Sequence, residues 1–156
     1  MDDTDRQILT MLQDNARISN AEISRRIGMV PSGVLERIRR MEERGLIEGY
    51  TARVNAKQAG QRLLAFMFVN TDERVGVVRS AQALAEIPEI LEVHHIAGED
   101  CYLAKVRVAD TEALAELIKT KLGKISTITS TRTTIVLETV KETSNLPLDS
   151  EHTAVA

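Results

Sequence analysis

Arg37 and Arg40 stand three residues apart, one helical turn, with Glu36 beside them and Ser32 and Gly33 at the start of the same run. A guanidinium on such a face forks onto guanine O6 and N7, and a carboxylate accepts from cytosine N4 and repels phosphate. Small residues and free N–H groups at a helix start let a phosphate or base edge come close. The alternative is a solvated surface laced by Glu36 with Arg40 and by Glu43 with Arg39 or Arg40. Such pairs contribute ~0.3–0.5 kcal/mol each and do not account for the local excess of base. Between positions 25 and 53 that excess sets Arg25, Arg26, Arg37, Arg39, Arg40, Arg44 and Arg53 against Glu36, Glu42, Glu43 and Glu48. The whole chain, 156 residues, has a net charge of -3, which excludes a protein coated in nucleic acid and points to this one segment.

Other reactive residue types are sparse. His94 and His95 are neighbours on a predicted strand and point to opposite faces, which prevents joint metal ligation. Cys101, the lone cysteine, allows no disulfide framework and reads as a small interface residue rather than a nucleophile. No catalytic residue, metal or cofactor is therefore expected. The acidic start Met1-Asp2-Asp3-Thr4-Asp5 is unlike a signal peptide, and no apolar run approaches the ~20 residues that span a bilayer, so a cytoplasmic protein with no membrane contact is expected. With 43% hydrophobic and 28% charged residues the chain is globular. Two modules below ~90 residues each need a partner to bury enough apolar surface.

The basic segment must be positioned by helices. Asp2 can cap a first helix with Ile8, Leu9, Met11 and Leu12 on its apolar face, ending near Asn15. Ser19 and Glu22 form a capping-box pattern for a second, with Ala21, Ile23 and Ile27 buried and Gly28 as its left-handed stop. Pro31 suits the first turn of a third, which buries Val34, Leu35, Ile38 and Met41 and runs to Gly45, leaving Gly33, Glu36, Arg37, Arg40 and Arg44 outside. Helix two, the turn Gly28-Met29-Val30 and helix three form a helix-turn-helix. Ile47 to Val54 reads as extended, which makes the module winged-helix-like, over residues 1–55, with a linker at 56–61.

From Leu63 the pattern becomes strand, helix, strand, strand, helix, strand. The elements are Leu63–Val69, Val75–Ile87, Ile90–Ile96, Cys101–Val108, a helix capped by Asp110 with Leu114, Leu117, Ile118 and Leu122, and Thr131–Val140. This βαββαβ order predicts a ferredoxin-like module over residues 62–142, giving an α+β protein with a flexible tail at 143–156. The first strand is apolar on both faces, Leu63, Ala65, Met67 and Val69 against Leu64, Phe66 and Phe68, while helices cover only one face. Another protomer's sheet is the expected cover, with Leu63, Ala65, Met67, Val69, Ile135 and Leu137 as candidate contacts of a homodimer.

Both modules resemble the Lrp/AsnC, or feast/famine, transcription regulators. The likeness rests on Asp5-Arg6-Gln7-Ile8-Leu9, Asn15 to Glu22, Arg37 to Ile47, Gly49-Tyr50-Thr51-Ala52-Arg53 and Thr131 to Lys141, and it covers nearly all of the chain except the tail. It implies homodimers that assemble further into octamers, bind double-stranded promoter DNA and respond to an amino acid held by the second module. Two departures stand out. Val30 replaces the serine that usually caps the third helix, and Cys101 falls where the family has an effector-contacting aspartate. The implied effector site is the turn Gly98, Glu99, Asp100, Cys101 and Tyr102, with Thr131 and Thr133 nearby. A glycine-containing turn offers N–H groups to a carboxylate, and acidic and hydroxyl groups accept from an ammonium. The reading is a sequence-specific regulator contacting DNA through Ser32, Gly33, Glu36, Arg37 and Arg40. The alternatives are an architectural DNA-binding protein without effector, and an enzyme like the sirohaem decarboxylases, which resemble this family in fold.

Overall fold

The computed structural model describes residues 1–74 and 76–148. Contacts group the chain into two units, one of Met1–Arg53 with the chain from Lys141, the other of Val54–Val140. Among the described residues no helix is long and apolar enough to cross a membrane.

The first unit is built on α1 (Asp3–Asp14), α2 (Asn20–Ile27) and α3 (Pro31–Glu43). Asp2 caps α1 reciprocally with Asp5, and Ser19 accepts from Glu22 N–H at the start of α2. The Glu22 carboxylate does not reach back to complete a box; Arg25 and Arg26 hold it instead. Gly28 takes φ 70°, a left-handed conformation that costs a residue with a Cβ ~1–2 kcal/mol, and so turns the chain tightly from α2 into α3. Ile8, Leu9, Ile23, Val34, Ile38 and Met41 form the core. Ala21 and Leu35, expected inside, are outside. Ser24 takes the inward place on α2 because its hydroxyl can satisfy itself on Ala21 O. Ile47 to Val54 forms no strand; its first residue is tied to Met41 O, and the rest runs without ladder pairing.

Residues 143–148, expected as the start of a flexible tail, make contacts with the helical unit. Gln13 exchanges two hydrogen bonds with the Leu146 backbone, and Leu148 packs against the helical core. The part beyond Leu148 lies outside the described residues. The chain at 56–61, expected as a linker, is a closed turn, with Gln61 N–H donating to Ala56 O.

The second unit is a four-stranded antiparallel sheet of β1 (Leu63–Thr71), β2 (Ile90–His95), β3 (Tyr102–Val108) and β4 (Ile128–Ile135), in the order β2-β3-β1-β4. The helices α4 (Arg79–Ala85) and α5 (Thr111–Thr120) complete the ferredoxin-like βαββαβ order. Both helices pack on the face formed by Ala65, Met67 and Val69 of β1 with Tyr102, Ala104, Val106 and Val108 of β3.

Two elements differ from expectation. α4 starts at Arg79 because Gly76 sits at φ 89° and breaks the run, leaving Val77 and Val78 exposed; Val75 lies outside the described residues. The Glu73 carboxylate then accepts Ser80 N–H in the first turn of α4, supplying an anionic partner where Val78 offers none. β4 starts three residues earlier than expected and ends five earlier, its first residue standing opposite Thr71 at the end of β1. The ladder closes at Ile135 opposite Ala65, with one further bond from Val136 N–H to Leu64 O.

Candidate functional site

The outer surface of α3 is set by what its core face needs. With Val34, Ile38 and Met41 buried and Leu35 exposed, the outward direction rotates toward Ser32, Leu35, Glu36, Arg39 and Arg40. Arg39 and Arg40 are 70% and 62% exposed and each lies along the helix surface beside a carboxylate, Glu43 and Glu36, at 3.0 Å. Such exposed pairs are weak enough for a polyanion to displace.

Arg37 faces elsewhere. Its Nη1 donates to Asp2 Oδ2 and Asp5 Oδ1, both at 2.7 Å, locking the N-terminus of α1 to α3. The Asp2 carboxyl is held below its usual range by the Asp5 N–H and by this guanidinium, and the two carboxylates raise Arg37 in turn. Arg37, expected to read bases, is paired here with two carboxylates of the first helix and its cap. Gly33 is half-buried, and a Cβ there would stand 3.1 Å from Met29 Cε. Ser32, Glu36 and Arg40 are outside as expected. Arg39 was missed because counting Leu35 as buried rotated the inferred face away from it.

In the second unit the turn between β2 and β3 is held by Cys101 N–H on Val69 O and Ile96 N–H on Cys101 O. Gly98 has φ 152°, and Glu99 is exposed. Asp100 is the organised group. Its side chain is 14% exposed, Oδ2 accepts from Arg132 Nη2 at 2.7 Å, and Oδ1 accepts from Asn70 Nδ2 at 3.0 Å. The Arg132 guanidinium also lies 4.0 Å from the centroid of the Phe68 ring, a cation–π distance that fixes its plane. An acidic and a basic group, held side by side and open to solvent through Arg132, match the two poles of a zwitterion.

The remaining residues expected at this site separate. Tyr102 is buried on the helix side of the sheet with its ring 5.2 Å from His95, and burial pushes its hydroxyl up. Thr131 and Thr133 pair across from Val69 and Met67, on that same side, whereas Arg132 points to the open face with Phe68. Cys101 is half-buried against the core. The groups around Asp100 are instead Arg132 and Asn70, with Ser130 Oγ accepting from Asn70 Nδ2 at 3.3 Å; the signal for Arg132 was its place between the two threonines, opposite in parity.

The open face carries Leu64, Phe66 and Phe68 of β1, Leu103 and Lys105 of β3, and Glu92 and His94 of β2, where Glu92 accepts from Lys105 at 3.0 Å. Most of the contact set expected for a partner sheet lies on the helix-covered side instead. Ala65, Met67 and Val69 are 0% exposed inside the protomer's own core, and Leu63 packs against that core. Ile135 shares their parity, opposite Ala65, and is 44% exposed at the end of the edge strand. Leu137 lies beyond the sheet, fully exposed.

Comparison with known proteins agrees with both units. Residues 1–48 match the winged helix-turn-helix DNA-binding family and residues 64–146 the Lrp/AsnC ligand binding domain. The leucine-responsive regulatory protein of Escherichia coli K12 is 38% identical over 148 residues, 94% of this chain and 90% of the relative. A transcriptional regulator of Neisseria meningitidis in complex with L-Met has a similar structure, TM-score 0.90, at 29% identity over 96% of this chain and 97% of that one. Escherichia coli AsnC follows at TM-score 0.88 and 28% identity, covering 94% and 99%. With a helix-turn-helix whose arginines face outward and a ferredoxin-like unit bearing a charged turn, the chain belongs to the Lrp/AsnC family of transcription regulators.

Proposed function

We propose that this protein is an amino-acid-responsive regulator that binds double-stranded promoter DNA as a dimer or larger assembly, and that it performs no catalysis. The observation that carries the DNA reading is the outer face of α3, where Ser32, Glu36, Arg39 and Arg40 lie exposed on one side of a helix anchored through Gly28 and Arg37. Arg39 and Arg40 supply the cationic contacts, to guanine edges or phosphates, and Ser32 the approach at the helix start. One relative is named a regulatory protein and one structural neighbour a transcriptional regulator, which favours regulation over chemistry.

For the effector, the Asp100–Arg132 pair is the support. Asp100 accepts from an amino acid's ammonium, while the Arg132 fork and the N–H groups of the Gly98 turn receive its carboxylate. A neighbour that holds L-Met fits this chemistry. Dimerisation is supported by Phe66, Phe68 and Leu103 on the sheet face without helices, with Glu92 and Lys105 beside them as polar rim.

Calorimetry of the twenty amino acids against the full chain tests the effector reading. Wild type is expected to bind at least one, with Asp100→Ala and Arg132→Ala each weakening it tenfold or more, the scale of a lost charged contact. Unchanged binding in both variants moves the site elsewhere, and no binding of any amino acid favours an architectural DNA-binding protein.

A further inference from the structure

The outer face of α3 carries one large apolar side chain among polar and charged ones. Leu35 is 56% exposed although the residue before it, Val34, is fully buried, and it sits among Ser32, Glu36 and Arg39 rather than in an apolar patch. Val30, at the N-cap, is 64% exposed and makes no side-chain cap, so its isopropyl group also stands free at the front of the helix. Apolar groups rimmed by exposed guanidinia at Arg39 and Arg40 suit a polyanionic surface that carries isolated methyl groups, and do not suit a protein partner, which needs a contiguous apolar area. The major groove of DNA is such a surface, because thymine projects its C5-methyl there beside phosphate rails.

We propose that Leu35, with Val30 as a second contact, reads thymine methyl groups in each half-site, so that this chain selects thymine by apolar contact as well as guanine by arginine. The proposal rests on the DNA reading of α3. Burying one methyl on an apolar side chain changes affinity about fourfold.

The test uses the full chain and duplexes selected by it from a randomised library. Each thymine of the selected duplex is replaced in turn by uracil, which removes only the methyl, and binding of wild type and Leu35→Ala is followed by anisotropy at fixed salt. At least one uracil per half-site is expected to weaken wild type about fourfold and to leave Leu35→Ala unaffected. A Leu35→Ala chain with native circular dichroism is further expected to lose its thymine preference at that position on reselection. If no uracil costs wild type more than twofold, or if the penalty persists undiminished in Leu35→Ala, the proposal fails; the uracil series on wild type decides this even if the variant folds poorly. A change in sedimentation with Leu35→Ala while the uracil penalty is kept would assign Leu35 to a contact between copies and likewise overturn it. Absence of any enriched sequence would overturn sequence-specific reading by α3 as well, which separates the two failures.

Discussion

Arg37 and Arg40 lie one turn apart on α3 and do different work, because one has carboxylates from another helix within reach and the other has only its own helix. Arg37→Ala removes the tie between α3 and the capping box of α1, leaving Asp2 and Asp5 without their guanidinium. At a side chain still 31% exposed this costs about 0.5–1 kcal/mol, after allowing for solvent screening. Arg39→Ala and Arg40→Ala break only exposed pairs and should leave stability within ~0.5 kcal/mol of wild type. Their effect falls on DNA, a loss of about 1–3 kcal/mol where the arginine meets a base, or a reduced salt slope where it meets phosphate. Denaturant unfolding and duplex titration over a salt series separate the three variants. An Arg37→Ala that is as stable as wild type yet loses sequence preference would return Arg37 to the DNA face.

At the scale of elements, α2 is pinned electrostatically at its first turn. Arg25 and Arg26 together hold the Glu22 carboxyl at about 2, well below its usual 4.5. A carboxyl lowered in the folded state adds stability that is complete above its unfolded value and is lost as pH falls through the folded one. Thermal unfolding of wild type should therefore drop more steeply than that of Glu22→Gln between pH 4.5 and 2, and parallel curves would contradict the pairing. How much of this was legible follows the same physics. Asp2, Ser19, Gly28 and Asp110 announce their caps and turns because those signals are local, and the βαββαβ order follows from periodicity. The late start of α4 had a local signal in Gly76, which breaks the run at φ 89°, whereas the Glu73 carboxylate reaching Ser80 N–H from outside the helix had none. The bounds of β4 follow its pairing with β1, and the parity of the open sheet face follows which side α4 and α5 chose. Both are tertiary facts, as is the Asp100–Arg132 pair across the sheet.

For the whole molecule, the proposed assembly joins two features of one chain: a helix-turn-helix, a motif that gains from being doubled, and a sheet face that its own helices leave uncovered. Phe66→Asp puts a charge in the middle of that open face without touching the core beneath it, so sedimentation should move toward monomer while circular dichroism stays native. An unshifted assembly would place the interface elsewhere. Coupling between effector and DNA is the property that makes such a molecule a regulator, and its usual size is a five- to 150-fold change in affinity. The most direct test is the anisotropy of a library-selected duplex, titrated with wild type and with Asp100→Ala in the presence and absence of each amino acid. At least one amino acid should shift the wild-type Kd fivefold or more, while Asp100→Ala binds the duplex as tightly as unliganded wild type and does not respond. No shift with any amino acid, or a full response from Asp100→Ala, would contradict the account.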